Sequence, residues 1–265
     1  MKFYEEVLSK LVATGVMSKD DKVVVLCGGS GDAIALAEVG MSNALISNLD
    51  DRYDGYCAPY EWKYLDAENI NLEDNSVDWA IAHHGLHHCA SPHRAVMEMA
   101  RIARKGILAF EGRDSLTMRL GIRAGMVPDY EIYAVVLEGG STGGLRNGPV
   151  PNFVYRWTER EVRKMIESAY PGTQNDIRFF YGLRLPDERM RMSGAAKRFA
   201  YQVARLVIRT VFGVARSQGN EFAFAFIKSQ AEKPWLLNGR LNPDYDLGFD
   251  ETRYRSDAPP MREDA

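Results

Sequence analysis

Val23-Val24-Val25-Leu26 runs without a polar residue into Cys27-Gly28-Gly29-Ser30-Gly31-Asp32. A short apolar run rich in β-branched residues suits a strand buried on both faces, the environment of a parallel sheet with helices on either side. The glycines let the backbone turn sharply and be approached closely, and the helix they feed opens with free N–H groups. Strand, glycine turn and helix in that order predict an α/β fold with a nucleotide-like ligand at the carboxyl edge of the sheet. Taken alone, the segment also fits a tight turn that binds nothing.

The rest of the chain supports the sheet. After an amphipathic helix over 3–15, strands are predicted at 22–27, 44–49, 62–65, 78–82 and 106–110, with helices near 32–40, 52–56 and 92–104. Ser91 is the expected N-cap of the last helix, with Pro92 at its first position. Past Glu111 the alternation breaks. A helix-like stretch leads into the glycine-dense segment 138–149, which reads as a mobile loop. Thr158-Glu159-Arg160-Glu161 is a capping box for a helix through Ser168, followed by strands at 177–184 and 221–228 around a long helical segment from 187 to 217. The expected architecture is a doubly wound, Rossmann-like, seven-stranded and mostly parallel sheet, with no internal repeat. Residues 1–229 form one domain, 112–155 and 187–217 a substrate cap inserted in it, and 230–265 a polar tail.

Composition narrows the function classes. An apolar fraction of 46% over 265 residues supports one large domain, and a formal charge of -3 argues against a general nucleic-acid binder. Cys27, Cys57 and Cys89 are odd in number and spaced unlike a zinc or disulfide framework, so reduced thiols and a cytoplasmic location are expected. Acids near the start of the chain do not suit a secretory signal, and Arg205 and Arg209 interrupt the most apolar stretch, so no bilayer crossing is expected. Arg191, Arg198, Arg205, Arg209 and Arg216 gather on one helix face. That face suits an anionic membrane surface or a phosphate-bearing substrate, or a solvated surface over a packed apolar side.

The glycine turn discriminates between cofactors. A dinucleotide fingerprint from Gly29 and Gly31 needs a third glycine at position 34, where this chain has Ile34. Asp32 sets a negative charge where a pyrophosphate would sit, whereas a ligand carrying a sulfonium and an ammonium tolerates it. From Val23 to Glu111 the sequence resembles the class I S-adenosylmethionine-dependent methyltransferases of the type 11 kind. The family's glycine loop falls on Cys27-Gly28-Gly29-Ser30-Gly31, and its ribose-binding acid near Asn48-Leu49-Asp50. Its adenine-side pattern is similar to Asp66-Ala67-Glu68, its approach to the fourth strand resembles Leu72 to Asp78, and its histidine-bearing turn resembles Leu86-His87-His88-Cys89. The resemblance implies S-adenosylmethionine as cofactor, held by these residues together with His83. Cys27 replaces the usual first glycine and Val25 the usual acid, and either Asn48 or Asp50 takes the ribose position.

A methyl transfer needs an aligned nucleophile, and a base when that nucleophile keeps its proton at neutral pH. All five histidines lie between His83 and His93. His83 and His84, at the end of the fourth strand, are candidates for the base or for lining the pocket, and Glu111 for a further catalytic group. One of His87 and His88 suits a buried hydrogen-bonded role. A metal site is not expected, because a strand-to-turn transition spoils the helical spacing of His83 with His87 and of His84 with His88. Glu111, Arg113 and Asp114 could hold a polar substrate or form local ion pairs. Tyr130, Tyr133, Phe153, Tyr155 and Trp157 could wall a lid or fill a core. The reading that follows is O-methylation of a small-molecule or sugar hydroxyl. The rivals are a SAM-binding scaffold without chemistry and a nicotinamide-dependent oxidoreductase.

Overall fold

The structure is a computed structural model that describes residues 2–185, residue 187 and residues 194–245. Its frame is a seven-stranded sheet in the order β3-β2-β1-β4-β5-β7-β6. The strands are β1 (Val23–Leu26), β2 (Ala44–Asn48), β3 (Glu61–Tyr64), β4 (Val77–His83), β5 (Ala103–Gly112), β6 (Asp176–Gly182) and β7 (Glu221–Ile227). β7 runs antiparallel to both of its neighbours, and the β5, β4, β1, β2, β3 series is parallel throughout. This is the expected doubly wound, mostly parallel sheet.

Side-chain parity divides the core into two layers. Val23, Val25, Trp79 and Ile81 point to the face covered by α1 (Lys2–Ala13) and α2 (Ser30–Val39). Val24, Leu26, Ala80 and Ala82 point to the other, covered by α3 (Pro92–Ile102) and α6 (Glu159–Ala169). On β7 the alternation is one of size. Phe222, Phe224 and Phe226 are fully buried on the α3 and α6 face, and Ala223 and Ala225 on the α1 and α2 face. Each such phenylalanine contributes about 1.5–3 kcal/mol of transfer free energy. Gly106 makes room in β5, since a Cβ there would lie 2.4 Å from the Phe226 carbonyl oxygen and 2.8 Å from the Trp79 ring.

The caps sit where the sequence places them. The Ser91 hydroxyl accepts the Arg94 N–H with Pro92 in the first turn of α3, and the Thr158 hydroxyl accepts the Glu161 N–H. The helix predicted at 52–56 is a single 3-10 turn over Asp51–Tyr53, closed by Gly55 at a φ of 79°. β5 begins three residues earlier than expected, because Arg104 reaches the Asp78 carboxylate and Lys105 pairs with Asp21 at 2.5 Å along the sheet's lower edge.

Residues 113–155 hold two short helices, α4 (Leu116–Arg123) and α5 (Ile132–Leu137), and the glycine-dense loop. Within 187–217 α7 spans Ala195–Val214, and Arg191 lies outside the described residues. Its apolar side is not packed as a solvated helix requires: Phe199, Val203, Leu206 and Val207 are more than half exposed. Among the described residues no helix is long and apolar enough to cross a membrane. The tail is more than an extended strand, since β8 (Leu236–Leu237) and β9 (Arg240–Leu241) form a hairpin. The Gln174 and Lys233 amides bond to Ala231 and Gly172, docking that hairpin beside the start of β6, and residues 246–265 lie outside the described residues.

Candidate active site

β1 lies between β2 and β4, so the chain leaves it toward opposite edges of the sheet, and a crevice opens above its carboxyl end. Cys27 lines that crevice from β1, Asn48, Leu49 and Asp50 from β2, Asp66, Ala67 and Glu68 from the segment after β3, and His84 and Gly85 from β4. Most of the residues expected to hold a cofactor thus share one wall.

Gly28, Gly29 and Gly31 shape the crevice from behind and do not line it. A Cβ on Gly28 would lie 2.8 Å from Val25 and 2.9 Å from Ile46, and one on Gly29 would lie 2.9 Å from the Tyr53 ring. Gly31 sits within the first turn of α2. Cys27 adopts the left-handed conformation, φ 54°, that a glycine takes without cost, and here the strain is about 1–2 kcal/mol. Its side chain fills the space over Gly85, where a Cβ would come within 2.2 Å of the Cys27 Cβ. Gly85→Ala is therefore expected to destabilise the protein by about 1–3 kcal/mol, readable as a lower urea midpoint. Full or partial recovery in Cys27→Gly/Gly85→Ala would trace the loss to that one contact.

The acidic wall is already partnered. Asn48 donates from Nδ2 to the Gly28 carbonyl at 2.8 Å, leaving its Oδ1 as an acceptor. Both Asp50 oxygens accept from Arg52, which holds the carboxyl below its usual range, and Arg52 also meets Glu138 at 2.7 Å. Asp66 accepts the Glu68 N–H at 2.9 Å on one oxygen and pairs with Arg146 at 2.5 Å through the other. Glu68 spends both oxygens on the Ala90 and Ser91 amides, at 2.9 and 2.8 Å, and so ties the turn before α3 to the segment after β3.

The glycine-dense loop lies across this crevice. Besides the contacts of Glu138 and Arg146, Asn147 donates from Nδ2 to the Leu49 carbonyl at 3.1 Å. Arg52, Tyr53, Glu138, Arg146 and Asn147 all line the crevice and were not singled out by the sequence. The only local signal was the glycine density, which marks a loop without saying where it lands.

The histidines divide. His83 follows Trp79 and Ile81 in parity and therefore points to the α1 and α2 face, stacked on Tyr4 at 4.4 Å with Nδ1 3.6 Å from the Asp32 carboxylate. It is not among the residues that line the crevice. Burial, with His84 and Arg184 nearby, lowers its pKa to about 3, and burial raises Asp32 to about 6. His84 takes φ 51°, turning the chain off the strand, and lines the crevice. Although His84 keeps exposed surface, desolvation by the groups packed around it lowers its pKa as well, so the imidazole is neutral at pH 7.

Glu111 is fully buried. It accepts the Leu86 N–H at 2.7 Å and the His87 Nδ1–H at 2.6 Å, so it is not free to take a proton from a substrate. Burial alone would lower the His87 pKa, but Glu111 and Glu131 carry it up to about 10. Glu131 lies 3.5 Å from His87 Nε2 and 3.2 Å from His88 Nε2. Beyond this cluster, Arg113 pairs with Glu159 at 2.8 Å and Asp114 with Arg119 at 2.6 Å, the local ion pairs among the expected arrangements. Trp157 is fully buried with Tyr155 against it, whereas Tyr130 and Phe153 form an exposed edge-to-face pair at 5.5 Å.

Comparison with known proteins agrees with this geometry. Residues 27–110 match the family model described as a methyltransferase domain. No curated protein sequence matches the chain significantly. Among solved structures it is similar to magnesium protoporphyrin IX methyltransferase from Synechocystis PCC 6803 with bound S-adenosylhomocysteine, at 14% identity and a TM-score of 0.52, covering 86% of this chain and 83% of that one. A SAM-dependent methyltransferase from Archaeoglobus fulgidus aligns at 12% identity and TM-score 0.50, covering 85% and 94% of the two chains. One from Mesorhizobium loti aligns at 11% and 0.50, covering 83% and 98%. Such identities speak for the fold, and the family match spans the segment from the glycine loop through β4 and most of β5. Residues 27–110 thus carry a match to a methyltransferase domain on a fold shared with methyltransferases, and S-adenosylmethionine is the cofactor this indicates.

Proposed function

We propose that this enzyme methylates a hydroxyl oxygen of a small molecule or sugar, with His84 as the general base. The observation that carries the proposal is His84, a crevice-lining residue with exposed surface whose imidazole is uncharged at neutral pH and makes no side-chain hydrogen bond to the described residues. S-adenosylmethionine supplies an electrophilic methyl on its sulfonium. The acceptor oxygen forms the new bond to that methyl as the sulfur–methyl bond breaks, and the hydroxyl proton passes to the imidazole. The exposed Tyr130 and Phe153 pair supports a ring-shaped acceptor, since Tyr130 adjoins Glu131, which contacts the crevice-lining His88.

The acceptors on the wall fit the cofactor. Asn48 has a free Oδ1 at the end of β2, whereas Asp50 has both oxygens on Arg52, which favours Asn48 for the ribose hydroxyls. Asp66 is assigned to the adenine side. Asn48→Ala is expected to weaken S-adenosylhomocysteine binding roughly tenfold, the effect of one lost hydrogen bond of about 1–1.5 kcal/mol, and Asp50→Ala less. Calorimetric titration of both variants checks this order, and the reverse order would give the ribose to Asp50.

Methyl transfer from labelled S-adenosylmethionine to matched panels of hydroxyl and amine acceptors tests the reaction. Turnover confined to hydroxyl compounds and dependent on His84 supports it. Turnover of amines alone would overturn it.

A further inference from the structure

We infer that His87, His88 and Glu131 form a binding site for a divalent transition metal of the zinc type. One ligand atom from each residue lies within 4.8 Å of the others. The histidines are adjacent in the 3-10 turn Leu86–His88, and Glu131 arrives from the cap just before α5. The objection raised by sequence spacing concerned His83 with His87 and His84 with His88. The folded chain uses neither pair.

The orientation of the rings carries the inference. His87 donates its Nδ1–H to Glu111, buried at 0% exposure, and His88 its Nδ1–H toward the Gly144 carbonyl at 3.3 Å. Each imidazole is thus anchored through one nitrogen, and both present Nε2 to the same Glu131 oxygen. A carboxylate or carbonyl on the far nitrogen is how metal-binding histidines are oriented and made more basic. Asn152, almost fully buried, donates from Nδ2 to the His87 carbonyl at 3.2 Å and to Glu131 at 3.4 Å, so the third ligand is oriented too.

Distances and charge agree. Ligands about 2.0–2.1 Å from a tetrahedral zinc lie roughly 3.3 Å apart. The two nitrogen–oxygen separations here, 3.5 and 3.2 Å, are of that size. Glu111 and Glu131 bring two negative charges to two imidazoles, which one divalent cation neutralises with both rings uncharged. Two nitrogens and one oxygen favour a first-row transition ion over calcium or magnesium, which take oxygen. Three protein ligands leave a position for water or another oxygen, and His88 puts the site at the wall of the cofactor crevice.

The test uses untagged, chelator-treated protein without S-adenosylmethionine, so its outcome is separate from that of the methyltransferase reading. Calorimetric titration with zinc chloride should give one ion per chain. His88→Gln/Glu131→Gln should bind at least about 100-fold more weakly, and Glu111→Gln about 10–100-fold more weakly. Cobalt(II) titrated into the parent protein should give the intense visible bands of a low-coordinate ion, a readout that needs no variant to fold. Equal zinc affinity in the parent and the double variant, no zinc uptake by the parent, or a cobalt spectrum like that of the hydrated ion would overturn the site.

Discussion

Glu111→Ala should lower the unfolding free energy of the metal-free protein by about 3–5 kcal/mol, the loss typical of removing one partner from a buried charge pair. The carboxylate is fully buried and serves two groups, the Leu86 N–H and the His87 Nδ1–H. Its removal strands a buried imidazolium, still faced by Glu131 at 3.5 Å, and an amide with no other partner among the described residues. Both belong to the turn that follows β4 and carries His84 into the crevice. Glu111→Gln keeps the shape and an acceptor for Leu86 but loses the charge, so its loss should fall between those of the parent and the alanine protein. Urea unfolding of the three proteins measures the series. A change under about 1 kcal/mol in Glu111→Ala would mean that the pair does not hold the turn.

The same turn shows what the sequence could and could not say. Strands buried on both faces are legible because every residue of β1 and most of β4 must be apolar, and caps such as Ser91-Pro92 and Thr158 with Glu161 are short-range chemistry. Which of two adjacent histidines meets the crevice is a different question. It turns on where β4 ends, and the left-handed backbone at His84 follows no periodicity. By strand parity His83 stays behind on Tyr4. Glu111 reads from the sequence as a candidate catalytic group because it follows the fifth strand at the ligand edge, yet its side chain is inside, bonded to the next turn. The loop over the crevice was equally out of reach, since its position depends on Arg146 finding Asp66 and Glu138 finding Arg52, pairs 80 and 86 residues apart. Arg104 reads from the sequence as the end of a helix and is strand, as is Lys105, because Asp78 and Asp21 wait for them across the sheet edge.

The last expectation concerns turnover. His84→Ala should bind S-adenosylhomocysteine nearly as the parent does, because the acceptors on the β2 and β3 side of the crevice are untouched, but should lose roughly 10²–10⁴-fold in kcat, the usual contribution of a positioned base. The pH profile separates a base from a wall. A base must be unprotonated, so kcat/KM falls as pH drops through the imidazole pKa, tenfold per unit below it. Burial sets that pKa below the ordinary histidine value; Glu111 pulls it back up, and His87 and Arg184 push it further down. The parent should therefore hold its rate across neutral pH and lose it only below about 6.5, the ordinary imidazole range. In His84→Ala the small residual rate should show no such acid limb. His83→Gln should keep turnover within a few fold of the parent, since that ring faces α1 and not the crevice. Retention of both rate and acid limb in His84→Ala would remove the histidine from the chemistry and leave methyl transfer to alignment of the acceptor alone.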